Sequence, residues 1–259
     1  MLEPKDFIET TASYTVDDVP IEPYASLILS RICSRIAEAK LNLSSTYTNS
    51  DGRVDSSLLE DVVSNFIDKD EQILKILEEN GLTRKIPKRR DWYDLCFLNE
   101  DLSIFIPVNI KISGMKGSDN VSSKKGLYYA ITGDIPYDKE FENDDENSLH
   151  GNKWNEYWNK LKLNVDKRTN KDYYFLILNK NDNQDVFFTS LKTLKEVCFN
   201  GSNLPFQCNW SKNKERIYRS HNESKDFLLS SFLSSLTLAI NSTEFGRDTI
   251  NHLLYDRSI

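Results

Sequence analysis

The chain has 259 residues, of which 33 are Lys or Arg and 40 are Asp or Glu, giving a formal net charge of −7. That balance excludes a bulk polycation, and 39% hydrophobic residues with only 9 Gly and 7 Pro exclude a disordered or collagen-like chain. The acidic start MLEPKDFIETTASYTVDD lacks a basic and an apolar leader region, and the most apolar stretch, FLLSSFLSSLTLAI (227–240), is short of the ~20 residues of a membrane span, so a cytoplasmic protein with no membrane partner is expected.

Along the chain, Ile28, Leu29, Ile32, Cys33, Ile36 and Ala37 recur at helical spacing and predict a first helix between Tyr24 and Leu41. A polar stretch, 44–56, leads to Leu58, Leu59, Val62, Val63, Phe66 and Ile67, a second helix. Ile73 to Leu77 predicts a third, stopped by Asn80-Gly81, and everything before Pro87 reads as α. After Arg89-Arg90 the period changes to two: DWYDLCFL (91–98) and SIFIPVNIKIS (103–113) predict two strands joined as an antiparallel hairpin through Asn99-Glu100-Asp101. YYFLIL (173–178) and VFFT (186–189) predict two more strands around the turn NKNDNQD, followed by a short helix over Thr193 to Phe199. From Ser224 onward Phe227, Leu228, Phe232, Leu236 and Ile240 return to helical spacing.

The expected fold is α/β (α+β), a central mixed sheet flanked by helices, in one domain spanning 1–259. Its helical part would run to ~88, its sheet over ~89–215 and its C-terminal helices from ~222. The acidic run 138–146 reads as a solvated loop. Cys33, Cys96, Cys198 and Cys208 form no CxxC pair and sit among apolar neighbours, the pattern of buried free thiols. His150, His221 and His252 are isolated, which argues against zinc, and no GxxxxGK[ST] is present, so no nucleotide cofactor is expected.

Strand alternation sends Ile104, Ile106, Val108, Ile110 and Ile112 to one face and Asn109 and Lys111 to the other. A hairpin turning at Glu100-Asp101 would put Asp94 opposite Pro107 and diagonal to Asn109, ~7–8 Å away. A carboxylate, an amide and a lysine then converge. A carboxylate among apolar strand residues needs a partner, and two are open. One is a plain ion pair with Lys111. The other is a hard cation such as Mg²⁺, which takes oxygen ligands and, with a lysine acting on water, suits phosphodiester hydrolysis.

Asp94, then Asn109 fifteen positions on, then Lys111, resembles the D…(D/E)xK signature of the PD-(D/E)xK nuclease superfamily. PVNIKIS (107–113), SDN (118–120), GLYYAITG (126–133) and NLPFQCNWSKN (203–213) are similar to segments of type II restriction endonucleases, so the resemblance covers 90–133 and 172–214. It implies a restriction-endonuclease-like fold and a homodimer that cleaves double-stranded DNA with Mg²⁺. Asp94, Asn109 and the Ile110 carbonyl would be its metal ligands and Lys111 would act on the attacking water. Two departures stand out. Tyr93 replaces the proline before the aspartate, and Asn109 stands where the superfamily has Asp or Glu, which removes one negative charge from the metal site. The superfamily also draws a glutamate from an upstream helix. Glu60 in GRVDSSLLEDVVSNF is the candidate, although Ser57-x-x-Glu60 equally reads as a capping box.

DNA contacts need donors to phosphates and polar groups toward base edges. Lys116, Lys124 and Lys125 surround Asn120, and Lys212, Lys214, Arg216 and Arg219 follow Asn209; each lysine alone reads equally as solvated surface. The net charge of −7 does not oppose DNA binding, because phosphates respond to a local basic groove. Two other functions stay open: a repair or structure-specific nuclease of the same superfamily, and a DNA-binding protein in which Asn109 has ended cleavage.

Overall fold

The computed structural model describes residues 22–42, 56–87, 91–121, 123–136, 157, 160–161, 163–165, 168–201 and 204–241. The N-terminal stretch, the polar loop over 44–55, the acidic run 138–146, His150 and His252 lie outside them.

Three helices open the described part of the chain. Helix α1 (Pro23–Ala39) starts on a proline whose missing N–H costs nothing at the first turn, and ends where Lys40 turns left-handed and donates its N–H to Ala37. Helix α2 covers Ser56–Lys69 and α3 covers Glu71–Glu79. Asp70 caps α3 by accepting from the N–H groups of Gln72 and Ile73, and its carboxylate also meets Arg35 at 2.8 Å, which ties α3 to α1. Gly81, at φ +63°, carries the chain out of α3 through a conformation that other residues resist.

The expectation of an all-helical start fails at β1 (Thr83–Lys85), which pairs antiparallel with β2 (Leu95–Leu98). Three residues reading TRK carry no apolar alternation. The strand exists because β2 offers it a ladder, a tertiary cause with no local signal. Strand β3 (Phe105–Ser113) completes the expected hairpin. After it come β4 (Asp119–Asn120) and helix α4 (Lys124–Thr132), an element that the sequence reading did not separate out. Strand β5 (Tyr174–Asn179) then pairs parallel with β3, and β6 (Asp182–Ser190) returns antiparallel beside β5. Strand β6 begins earlier than expected because its polar first half is an exposed edge, where apolar residues are not required. The main sheet therefore has five strands in the order β1-β2-β3-β5-β6, and the fold is α/β with a mixed sheet flanked by helices.

The helix expected over Thr193 to Phe199 is absent. Only Leu191–Thr193 form a single 3₁₀ turn, and beyond it Cys198 bridges to Gln207. Asn213 explains the difference: its Oδ1 accepts from the N–H groups of Lys195 and Glu196 at 2.8 and 3.2 Å, replacing the bonds a helix would have made. Strand β7 (Gln207–Cys208) pairs with β4 as a separate two-stranded ribbon, and α5 (His221–Asn241) ends the described chain. None of the described helices is long and apolar enough to cross a membrane.

The sheet has a core on each face. Ile106, Val108, Ile110, Leu95, Phe97, Leu176 and Leu178 pack under α1, α2 and α3. Phe105, Cys96, Phe175 and Ile177 pack with residues of α4, α5 and Trp210 on the other face. Gly126 lets α4 lie close on that face, since a Cβ there would sit 2.6 Å from the Tyr173 ring. Four free cysteines fit the expected thiols, with Cys198 half-buried rather than buried.

Candidate active site

The site is built where β2 runs out and β3 continues. The chain enters β2 through a bend at Trp92 to Asp94, so Asp94 stands at the mouth of the strand and not inside it as expected. The bend is fastened from below. Tyr173 donates its hydroxyl to the Trp92 carbonyl at 2.7 Å, and the Trp92 ring lies 5.5 Å from those of Tyr129 and Tyr173. Because 92–94 is not regular strand, Trp92 and Tyr93 both pack on the same core, which alternation does not allow.

The hairpin register also differs. Cys96, not Asp94, pairs with Pro107, and beyond the last ladder pair, Leu95 with Val108, Asp94 donates its N–H to the Val108 carbonyl at 3.0 Å. The cause is the turn. Asn99 donates to and accepts from Ile104, so the loop spans Glu100 to Ser103 rather than closing at Glu100-Asp101. A slip of two residues preserves which face each strand residue takes, and the Lys111 ammonium still acts on the Asp94 carboxyl.

Asp94 Oδ2 accepts the Ile110 N–H at 2.7 Å, taking the place of the strand that is missing beside β3. In an extended strand the N–H and C=O of one residue leave on the same side. The Ile110 carbonyl therefore faces the same open edge. Asn109 and Lys111 lie on the opposite face from the Ile110 side chain, in register with Phe175 and Ile177 of β5. Trp210 is fully buried against Phe175, with ring centroids 5.2 Å apart.

Electrostatically the site is unfinished. Burial pushes the Asp94 carboxyl above the ordinary carboxylate value, and the Ile110 N–H and the Lys111 ammonium only partly oppose it. Asp94 and Lys111 feel each other's charge but close no ion pair, so the plain salt bridge that the sequence allowed is not formed. Asn109 Oδ1 is buried and has no hydrogen-bond partner. Such an acceptor calls for a donor or a cation.

Among the described residues no three His, Cys, Asp or Glu side chains group closely enough to hold a metal. The oxygen donors at this edge are Asp94, the orphaned Asn109 amide and the Ile110 carbonyl. They suit a hard cation that keeps several waters, with a single charge to hold it.

Glu60 is half-buried on α2, which packs on the Ile106, Val108 and Ile110 face, opposite Asn109 and Lys111. Ser57 lies inside α2, one residue beyond its start, so the capping box does not coincide with the helix end. Several expected DNA contacts already have roles within the chain. Asn209 caps the 3₁₀ turn Trp210–Asn213 through the Ser211 N–H. Lys212 pairs with Glu196 at 2.7 Å, Lys214 pairs with Asp185 at 2.6 Å, and Arg216 lies over the Phe188 ring. Lys116 is exposed, and Lys124 and Lys125 are half-buried on the first turn of α4. Asn120 is exposed on β4.

Two residues near the site carry no mark in the sequence. Asp119 pairs in register with Cys208, whose thiol is pushed up mainly by burial, further by Asp119 and Cys198, and drawn down by Lys111. Gln207 pairs with Asn120. Both arise from the β4–β7 ladder, which joins segments far apart in the chain. No protein-family model matches the chain, and no curated protein matches it.

Proposed function

We propose that this protein is a type II restriction endonuclease of the PD-(D/E)xK superfamily, with a restriction-endonuclease-like fold. It hydrolyses phosphodiester bonds of double-stranded DNA at a short palindromic site, with Mg²⁺, as a homodimer. The observation that carries this is the open edge at Asp94, Asn109 and Lys111: a carboxylate and a lysine held together without an ion pair, beside a buried amide oxygen that lacks a partner. Palindromic sites suit a two-fold protein, as in other dimeric DNA readers.

In this assignment Asp94, the Asn109 oxygen and the Ile110 carbonyl hold the cation. Mg²⁺ bound there would offset charge developing on the phosphate. Lys111 would position the attacking water in line with the scissile bond and Asn109 would complete the donor set; Glu60, on the helix that covers the opposite face of the sheet, has no place in that set. The remaining DNA-facing candidates are Lys116, Asn120, Lys124 and Lys125, with Asn209, Lys212, Lys214 and Arg216 on the neighbouring segment.

The decisive experiment incubates purified protein with unmethylated phage-sized DNA in ~5–10 mM Mg²⁺, beside an EDTA control and Lys111→Ala. Discrete bands that need the metal and vanish in the variant are expected. A smear, or cutting that follows DNA shape, would support the repair or structure-specific nuclease instead. A folded protein that cuts no DNA from several unrelated sources would move the conclusion to a binding protein. Asn109, which leaves the edge with one carboxylate among its three oxygen donors, favours that second reading.

A further inference from the structure

The β4–β7 ribbon is two-sided. Val121, Phe206 and Cys208 are buried in the core beneath it. Alternation sends Asn120 and Gln207, cross-strand partners, to the outer side. Their amides are linked in a row. Asn200 Nδ2 donates to Gln207 Oε1 at 3.0 Å, and Gln207 Nε2 donates to Asn120 Oδ1 at 2.6 Å. Asn120 ends the row, exposed, with its Nδ2 unused among the described residues and a second lone pair left on Oδ1. A fixed amide offering a donor beside an acceptor is the complement of the N7 and N6 edge of adenine, and an antiparallel two-stranded ribbon is narrow enough for the major groove.

We infer that Asn120 reads an adenine in the major groove, and that Gln207, backed by Asn200, is the positioning residue that fixes its amide. This rests on the nuclease assignment and deepens it. Lys111 and Asn120 are nine positions apart, so the chain between them spans at most about 30 Å, which at about 3.4 Å per base pair keeps the adenine within about nine base pairs of the cut. Lys116, in the same connection, is placed to meet phosphate beside it.

The test first finds the preferred site, by mapping cleavage or, if nothing is cut, by selection from randomised duplexes with Ca²⁺ in place of Mg²⁺. Each adenine of the site is then replaced by 7-deazaadenine, which lacks the N7 acceptor. At one adenine the wild type should lose about 10-fold or more in cleavage rate, or in affinity where only binding is read. In Asn120→Ala, Asn120→Asp and Gln207→Ala, all checked for folding by circular dichroism, the ratio between normal and modified duplex should collapse toward one. Folded variants that keep the wild-type ratio would overturn the inference and leave the nuclease assignment intact. So would a site without adenine, or indifference at every adenine. A wild-type protein that neither cuts nor selects any duplex would remove the nuclease assignment and this inference together.

Discussion

The molecule sets a carboxylate near a lysine at the ends of its sheet strands twice, and the two places are finished differently. Asp172 and Lys192 are both buried, at 1% and 2% exposure. The Asp172 carboxylate accepts from the Tyr173 and Lys192 N–H groups, and the Lys192 ammonium donates to the Thr169 and Lys171 carbonyls at 2.8 and 2.7 Å. Burial raises the Asp172 pKa and lowers that of Lys192, and their mutual attraction opposes both shifts. The carboxylate and the ammonium both have hydrogen-bond partners. Neither carboxylate closes a direct ion pair with its lysine; around Asp172 and Lys192 backbone groups satisfy both charges, whereas beside Asp94 and Lys111 the Asn109 Oδ1 is left with no partner. Backbone satisfaction marks a structural arrangement, and the unmet acceptor is what supports reading the Asp94 edge as a ligand site.

The largest effects should come from breaking each member of the comparison in its own currency. Lys192→Met strands a buried carboxylate and should cost about 3–5 kcal/mol of stability, read as a large fall in denaturant midpoint, with Asp172→Asn in the same chain recovering part of it. Lys111→Ala should leave the unfolding free energy within about 0.5 kcal/mol of wild type and lower cleavage by about 10²–10⁴-fold in a single-turnover assay. Equal stability losses at both lysines would erase the distinction. An intermediate effect is expected at Gly126→Ala, which drives a Cβ to within 2.6 Å of the Tyr173 ring. Overpacking should cost about 1–3 kcal/mol. Because Tyr173 fastens the bend before Asp94, cleavage should fall along with stability.

The periodic elements were legible in the sequence: α1, α2, α3 and α5, the β2–β3 hairpin, and the facing of Asn109 with Lys111. Each is written locally, in spacings of four or two. What escaped was set by distant partners. Strand β1 exists because β2 is beside it, the expected helix after Thr193 gave way to Asn213, and the two-residue register slip came from Asn99 bonding Ile104. Within the candidate site, Asn109 and Lys111 could be named because strand alternation preserves faces through that slip, whereas Asp94, outside the strand, is placed by its bond to the Ile110 N–H. Gln207 could not, since its role depends on a ladder to Asn120, 87 positions away.

The smallest expected effect is the sharpest test of the idea that Asp94 is held ready for a ligand rather than for the fold. Its pKa in the folded protein lies above the ordinary value, chiefly through burial. A carboxyl raised on folding binds its proton more tightly in the native state. It therefore contributes stability below its unfolded pKa, and that contribution is lost as pH rises through the folded one. At pH 7 the ionised carboxylate is a liability to the metal-free fold. Asp94→Asn keeps an oxygen for the Ile110 N–H while removing the charge. In EDTA at pH 7 it should unfold at the wild-type temperature or slightly above it, and any advantage should shrink as pH falls toward the ordinary carboxylate value. Thermal melts of both proteins across that range measure the difference. A clear loss of stability at pH 7 would mean that the charge itself holds the bend to β3, which would make Asp94 the counterpart of Asp172 and dissolve the contrast between the two pairs.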